Sequence, residues 1–149
     1  EDGQANSLRE LLDRVKQGQV VASSLNAERE RRFLADKQRQ ADELARRTAA
    51  LRVFADGDGK MNRSLSDCGG SVLAVPQFTL YAETGKGHRP SFGRAAEPAV
   101  ARPLFDAYAE ALRRALGEDR VVCGIFGVDM QVELVNDGPV TFWLEVAGA

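Results

Sequence analysis

The sequence predicts an α+β domain with a mostly antiparallel sheet or partial β-barrel and packing helices. Short apolar runs at residues 71–75 and 121–126 have the length and composition of buried strands. Apolar residues alternate on both sides of an Asp-Gly turn near residue 137, which is the pattern of a hairpin. One strongly patterned helix precedes Gly117. Because 149 residues suit one compact domain, residues 1–149 are predicted to form a single domain.

Charge and composition restrict the chemistry. A net charge of −2 lacks the basic excess of proteins that hold nucleic acid by bulk electrostatics, so any RNA contact must be local. His88 is the single histidine, and with Cys68 and Cys123 it gives no zinc-ligand spacing. We therefore expect no metal and no other cofactor.

Location is predicted from the same composition. No apolar run approaches the roughly 20 residues that a membrane span requires, and the polar N-terminus does not resemble a signal peptide. The sequence therefore predicts a cytoplasmic protein, in which both cysteines are reduced and partly buried.

The first 50 residues are polar and mainly helical in pattern. A capping box at residues 7–10 predicts a short amphipathic helix that ends at Gly18. Residues 19–22 predict a brief strand. From Asn26, a charged surface helix with a narrow apolar stripe is predicted to reach Leu51, with a break near residues 36–40.

The middle of the chain contains a glycine-rich turn and a basic loop. Residues 56–59 resemble the start of a calcium loop, but Lys60 occupies a ligand position, so a simple turn is predicted. Residues 84–94 gather four basic side chains in a globally acidic chain: Lys86, His88, Arg89 and Arg94. This loop is either a solvated surface or a contact for phosphates.

Two elements complete the predicted domain. A helix beginning at Pro98 or Pro103 carries an apolar core stripe and ends at Gly117. After it, residues 130–135 and 140–146 predict two strands around Asn136-Asp137-Gly138-Pro139. From residue chemistry alone, this tip is either a plain hairpin turn or part of a site.

Three segments taken together resemble the D-aminoacyl-tRNA deacylase family: residues 69–80 (GGSVLAVPQFTL), residues 89–92 (RPSF) and residues 130–141 (MQVELVNDGPVT). Residues 51–54 (LRVF) and 59–62 (GKMN) extend the similarity, which covers residues 41–146 in the family's order. Residues 1–40 are atypical, because the family opens with β-strands.

The resemblance implies a homodimeric esterase. Such an enzyme hydrolyses D-aminoacyl-tRNA, and glycyl-tRNA mischarged on tRNA-Ala, as chiral proofreading in translation. Each active site lies at the subunit interface, where the Gly-cisPro motif of one subunit enters the pocket of the other. The partners implied are the 3′ end of the aminoacyl-tRNA and a second copy of the chain, without a membrane.

Site residues follow from the positions that match the family motifs. Gln77, Phe78 and Thr79 are expected to be catalytic, with backbone N–H groups of the last two facing the scissile carbonyl. Expected substrate contacts are Pro76, Met130, Asn136, Gly138, Pro139 and Thr141. Expected tRNA contacts are Lys86 and Arg89. Thr79 has no evident base to activate it, so attack by water, assisted by the ribose 2′-hydroxyl, is favoured.

Pro76 departs from the family pattern, which has serine there. A related deacylase that removes misattached L-alanine carries Pro-Gln at this point, although its second motif differs from residues 136–139. Two alternatives follow: an editing deacylase for L-alanine, and a catalytically impaired homologue that binds tRNA without turnover.

Overall fold

The computed structural model describes residues 2–85, 87–138 and 140–146, with side chains from residue 13 onward. The helices are α1 (Asp2–Ala50), α2 (Leu65–Cys68) and α3 (Pro98–Leu116). The strands are β1 (Arg52–Ala55), β2 (Met61–Ser64), β3 (Val72–Ala74) and β4 (Val121–Cys123). Two short 3-10 turns cover Phe78–Tyr81 and Glu118–Arg120. The chain divides into two compact units, with the boundary between Lys37 and Gln38.

Helix α1 corrects three predictions at once. It runs without interruption from Asp2 to Ala50, through the predicted stop at Gly18, the predicted strand at residues 19–22 and the predicted break at residues 36–40. A glycine inside a helix costs only about 1 kcal/mol relative to alanine, which the Arg-, Glu- and Gln-rich flanks can offset. A helix also satisfies its backbone hydrogen bonds internally, whereas residues 19–22 would need a partner strand. The side chains of the predicted capping box lie outside the described ones.

The unit before Gln38 is a solvated helical segment. Its apolar side chains at Val20, Leu25 and Phe33 are largely exposed. Local contacts support the helix: Arg32 pairs with Glu28 one turn earlier, and the Lys37 ammonium lies 5.4 Å from the centre of the Phe33 ring. The predicted surface helix is confirmed in this respect.

A β-hairpin follows α1. Strands β1 and β2 pair in antiparallel fashion around the turn that begins at Asp56. The Asp56 carboxylate accepts hydrogen bonds from the backbone N–H groups of Asp58 and Lys60, both at 2.9 Å. It also accepts one from the side-chain amide of Asn62 at 2.6 Å. Gly59 closes the turn with a φ of 77°. The predicted turn is confirmed, and its acidic side chain binds backbone donors.

The core of the second unit lies between the end of α1 and α3. The buried stripe of α1 comprises small residues at a spacing of four: Ala41, Ala45 and Ala49. Leu112, which is fully buried, and Leu116 share one core cluster with Ala45 and Ala49. These contacts confirm the predicted apolar stripe of α3.

Polar contacts fix the same packing. Thr48 and Tyr108 share a hydrogen bond of 3.1 Å between their hydroxyls, and Arg114 pairs with Asp42 at 2.6 Å. The Arg120 guanidinium donates to the carbonyl of Gly70 at 2.7 Å. These contacts tie α1, α3 and the start of β3 together.

The sheets are small. Strands β3 and β4 pair in parallel, and the Gly124 N–H extends the pairing to the Ala74 carbonyl at 2.8 Å. With the β1–β2 hairpin, the described residues form two two-stranded sheets. The predicted α+β class with packing helices is confirmed, as are strands within residues 71–75 and 121–126. The sheet is divided into two pieces and does not form one continuous layer.

The C-terminal hairpin prediction is wrong for the described residues. Residues 130–138 and 140–146 contain no strand, although the chain bends at residues 137–138. Leu134 is 69% exposed and Val135 is 94% exposed. Alternating apolar residues favour a strand only where a second strand accepts its hydrogen bonds and a surface covers one face.

Cys68 and Cys123 are free, and both are half-buried beside the core. None of the helices in the described residues combines the length and apolar character that crossing a membrane requires.

Candidate functional site

An open cavity of about 520 Å³ lies between the segments that follow β3 and β4 and the N-terminal half of α3. Its lining is mainly aromatic, proline and alanine side chains, contributed by Pro76, Gln77, Phe78, Tyr81, Phe92, Ala95, Ala96, Glu97, Pro98, Ala101, Phe105, Phe126 and Gly127. An apolar concavity with few polar groups is the usual form of a small-ligand site. Three of the predicted site residues, Pro76, Gln77 and Phe78, therefore lie at one cavity.

A 3-10 turn at one wall of the cavity carries the predicted catalytic segment. It covers Phe78–Tyr81 and begins after Gln77, whose backbone is extended (φ −144°, ψ 100°). No side chain caps the start of this turn. The first N–H groups of a helical turn have no partner within it. The backbone donors of Phe78 and Thr79 therefore stand at the free end of the turn.

The Gln77 side chain determines the state of the Thr79 hydroxyl. Its amide nitrogen donates a hydrogen bond to Thr79 Oγ1. An amide N–H cannot accept a proton, so this neighbour does not activate the hydroxyl as a nucleophile. The contact links the side chain of the residue before the turn to the second residue of the turn.

The basic loop is attached directly to the same turn. Glu83 and Ser91 close it with two backbone hydrogen bonds of 2.8 and 3.0 Å. Phe92, the next residue, packs edge to face against Phe78. Arg89 is exposed within the loop, whereas Lys86 lies outside the described residues. Arg89 thus lies on the loop that this aromatic contact anchors.

Pro76 and Met130 meet at Gly124. A Cβ atom placed on Gly124 would lie 2.7 Å from Met130 Sδ and 3.3 Å from Pro76 Cδ. Both side chains therefore pack against the bare Cα of Gly124. The structure brings these two predicted substrate contacts together from segments far apart in the chain.

The remaining predicted substrate contacts are separate from this cavity. Asn136, Gly138 and Thr141 are exposed, and the described part of the cavity wall includes none of them. Gly138 has a φ of 148°, within the region that favours glycine. Pro139 lies outside the described residues.

The cavity has little charge. Glu97 is the one ionisable carboxylate in the described lining, and it stands at the start of α3. Within the described residues, no three His, Cys, Asp or Glu side chains gather to hold a metal ion. The clear pKa shifts lie elsewhere: a hydrogen bond from Asn62 lowers the pKa of Asp56, and one to Glu110 raises the pKa of Arg113.

Sequence reasoning did not assign the aromatic wall to the site. The aromatic wall of the cavity comprises Tyr81, Phe92, Phe105 and Phe126. Phe105 belongs to the helix whose apolar stripe was predicted as core, and Phe126 belongs to the strand predicted within residues 121–126. The sequence signal that could have found this wall is the number of aromatic residues in and beside the motifs at residues 69–80 and 89–92. Their convergence depends on the packing of α3 against β4, which periodicity does not reveal.

Comparison with known proteins relates this chain to one family. The model of the D-Tyr-tRNA(Tyr) deacylase family matches residues 8–145. The match therefore includes much of α1 as well as the cavity and the exposed C-terminal segment.

Two curated relatives illustrate the similarity. The D-aminoacyl-tRNA deacylase of Halorhodospira halophila is 60% identical over 111 residues, which are 74% of this chain and 71% of the relative. The protein of the same name from Roseiflexus sp. is 54% identical over 138 residues, which are 93% of this chain and 83% of the relative.

A solved structure supports the fold. The c-Myc DNA Unwinding Element Binding Protein superposes with a TM-score of 0.68 at 36% sequence identity, covering 74% of each chain. The similarity in three dimensions agrees with the family match in sequence.

Proposed function

The chain belongs to the D-aminoacyl-tRNA deacylase family, and we propose that it hydrolyses the ester between a D-amino acid and the terminal ribose of tRNA. The products are free D-amino acid and tRNA, and the role is chiral proofreading in translation. Glycyl-tRNA mischarged on tRNA-Ala is a second substrate, because glycine presents hydrogen where an L-residue presents its side chain.

The observation that carries this proposal is the uncapped turn at the wall of an apolar cavity. In ester hydrolysis, a water oxygen bonds to the acyl carbon, the carbonyl oxygen becomes negative, and the ribose oxygen then leaves with a proton. The N–H groups of Phe78 and Thr79 stabilise that oxyanion. One such donor is worth roughly 3–4 kcal/mol in the transition state.

Water is the attacking nucleophile in this scheme, and the ribose 2′-hydroxyl assists it. The hydrogen bond that Thr79 Oγ1 receives from Gln77 supports a positional role for Thr79. A nucleophilic threonine would need a base within reach to remove its proton. Hydrolysis then leaves no acyl group on the protein.

Chirality is read by a second copy of the chain. Gly138 and Pro139 of one subunit enter the cavity of the other and leave no room for an L side chain. Asn136 and Thr141 of the same segment contact the substrate with them. The exposure of Leu134, Val135 and Trp143 supports this homodimer, because exposed apolar surface of this kind is covered in stable assemblies.

The tRNA is held by local charge. Lys86 and Arg89 contact phosphates near the 3′ end, and the anchoring of their loop beside Phe78 supports this position. A chain of net charge −2 needs such a local basic surface. Because charged tRNA is used in translation, the enzyme works in the cytoplasm.

The decisive experiment compares the decay of D-Tyr-tRNA with that of L-Tyr-tRNA in the presence of the protein. We expect rapid decay of the D-isomer and background decay of the L-isomer. Equal rates would contradict chiral selection. Binding without decay in a single-turnover assay would instead identify a catalytically impaired tRNA-binding homologue.

Editing of L-alanine is the second candidate, and Pro76 favours it. Proline removes a backbone N–H and a hydroxyl directly before Gln77. The test is the variant Pro76→Ser assayed with L-Ala-tRNA and D-Tyr-tRNA. A shift of activity from the first to the second supports L-alanine editing in the parent chain, and activity of the parent on D-Tyr-tRNA alone excludes it.

A further inference from the structure

Phe105 and Phe126 separate two cavities. Both line the 520 Å³ cavity, and both also line a smaller one of about 200 Å³ behind it. Their ring centroids are 6.5 Å apart with an angle of 48° between the planes. We call this pair the aromatic partition. A ligand in the larger cavity touches one side of it.

The two halves of the partition are held differently. Phe105 lies within α3, where helical hydrogen bonds hold the backbone. Phe126 lies in a turn beyond the end of β4, next to Gly127 with a φ of 76°. Outside the sheet, the position of Phe126 depends on the groups that contact it.

Arg102 contacts Phe126 in two ways. Its guanidinium carbon lies 4.9 Å from the centre of the Phe126 ring, and its NH2 group donates to the Phe126 carbonyl at 3.2 Å. Arg102 lines the smaller cavity, so it lies on the side of the partition away from the larger one. Because it precedes Phe105 by three residues on α3, both project from the same face of the helix.

We propose that Arg102 is a positioning residue that holds Phe126 in the wall of the substrate cavity. The inference rests on the proposed function. Without the guanidinium, the Phe126 ring is free to turn into the smaller cavity, and the two spaces join. The bound aminoacyl end then loses one wall and binds less tightly.

Arginine has the geometry that this role requires. A flat guanidinium stacks on a ring and donates from a fixed fork at the same time, whereas a lysine ammonium does only one of these well. Asp106, Glu110 and Arg113 also line the smaller cavity. Glu110 pairs with Arg113, so the carboxylates of this cavity do not by themselves require an arginine at position 102.

The first experiment observes Phe126 itself. With 4-fluorophenylalanine introduced at position 126, the ¹⁹F spectrum of the full chain is compared with those of Arg102→Ala, Arg102→Lys and Arg114→Ala. Arg114 is a matched control, since it is an exposed arginine on the same helix that pairs with Asp42. We expect a shifted and broadened line for Arg102→Ala, an intermediate line for Arg102→Lys, and the parent line for Arg114→Ala.

The second experiment measures hydrolysis of D-Tyr-tRNA. Loss of a stacked, hydrogen-bonded guanidinium should raise KM about tenfold. The kcat should stay within about twofold, because a wall is contacted equally in the ground and transition states. Arg102→Lys should recover part of the loss. An unchanged KM in Arg102→Ala would overturn the role in substrate binding.

The outcomes separate the inference from the proposed function. An ¹⁹F line unchanged by Arg102→Ala overturns the inference, even where the parent protein hydrolyses D-Tyr-tRNA. A parent protein without hydrolysis contradicts the function, while the ¹⁹F result still decides the position of Phe126. If Arg102→Ala does not fold, the ¹⁹F line of Arg102→Lys decides the question instead. A line identical to the parent's overturns the inference, and a shifted or broadened line supports it.

Discussion

Phe78 and Phe92 meet edge to face, with ring centroids 4.9 Å apart and an angle of 69° between their planes. Phe78 opens the turn that carries the proposed oxyanion donors, and Phe92 follows the bridge that closes the basic loop. The contact therefore joins the chemical part of the site to its proposed tRNA-binding part. Replacing either ring should therefore affect both catalysis and tRNA binding.

Replacing Phe92 by alanine should weaken catalysis more than folding. Such aromatic pairs contribute about 0.5–1.5 kcal/mol beyond buried area, so kcat/KM should fall roughly tenfold. Phe92→Leu should retain part of the activity. The measurement is kcat/KM for D-Tyr-tRNA, with the thermal midpoint recorded for each variant.

Phe54→Ala is the control for this prediction, because Phe54 is an exposed aromatic residue of β1 outside the described cavity lining. Its kcat/KM should match that of the parent. Equal losses in both variants would show that the effect is not specific to the Phe78–Phe92 contact.

Gln77→Glu should slow the chemical step. The amide of Gln77 donates to Thr79 Oγ1, whereas a carboxylate can only accept, so the Thr79 hydroxyl must turn. The new negative charge also opposes an oxyanion nearby, and the single-turnover rate should fall roughly a hundredfold. Gln19→Glu on the solvated part of α1 makes the same chemical change and should leave the rate unaltered. A single-turnover rate for Gln77→Glu equal to the parent's would exclude a role of Gln77 in the chemical step.

Gly124→Ala should displace Met130. The added methyl group would stand 2.7 Å from Met130 Sδ, and overpacking of this kind costs typically 1–3 kcal/mol. We expect a lower thermal midpoint and a raised KM. Since the clash is with a side chain, the further change Met130→Ala should restore the midpoint.

The matched control for the added methyl group is Gly57→Ala. A Cβ atom at Gly57 would meet nothing within 4 Å. This variant should keep the parent's midpoint and KM. A Gly124→Ala protein with equally unchanged values would mean that Pro76 and Met130 do not pack there.

Asp56 should make stability depend on pH in the acid range. Hydrogen bonds from Asn62, and then from the Lys60 backbone, lower the pKa of Asp56 in the folded protein. A lowered folded pKa stabilises the fold above the ordinary pKa of an aspartate, and the contribution disappears as pH falls through the folded pKa. The urea midpoints of the parent and Asp56→Asn should therefore differ at pH 7 and converge as pH falls below about 4.

Asp58→Asn serves as the comparison, because Asp58 is an exposed neighbour in the same turn. At pH 7 its urea midpoint should stay closer to the parent's than that of Asp56→Asn does. A difference for Asp56→Asn that persists unchanged at low pH would show that the carboxylate's charge is not what stabilises the turn.

Local signals in the sequence determined several elements correctly. Helix α3 begins at Pro98 and ends before Gly117, as the residues at its ends predict. The 56–59 turn follows from its Asp and Gly residues alone. Two local signals were overlooked: the capping box of Ser64 and Asp67 at α2, and the apolar residues on either side of the Asp56 turn.

Motif similarity also singled out residues that lie close together in the structure. Pro76, Gln77 and Phe78 do line the cavity, and Met130 packs beside Pro76. The motif of residues 136–141 does not reach that cavity in the described chain. Its proposed role needs a second copy, and a single sequence says nothing of how two copies meet.

The sequence by itself determined the family, the ends of α3 and the turn chemistry, because each depends on residues close together in the chain. Tertiary structure alone decided whether residues 19–22 and 130–146 became strands, since a strand requires hydrogen-bond partners that its own residues do not supply. It also decided which aromatic residues became the wall of the cavity. Arg102 and Phe126 lie 24 positions apart, and only the packing of α3 against the end of β4 brings them into contact.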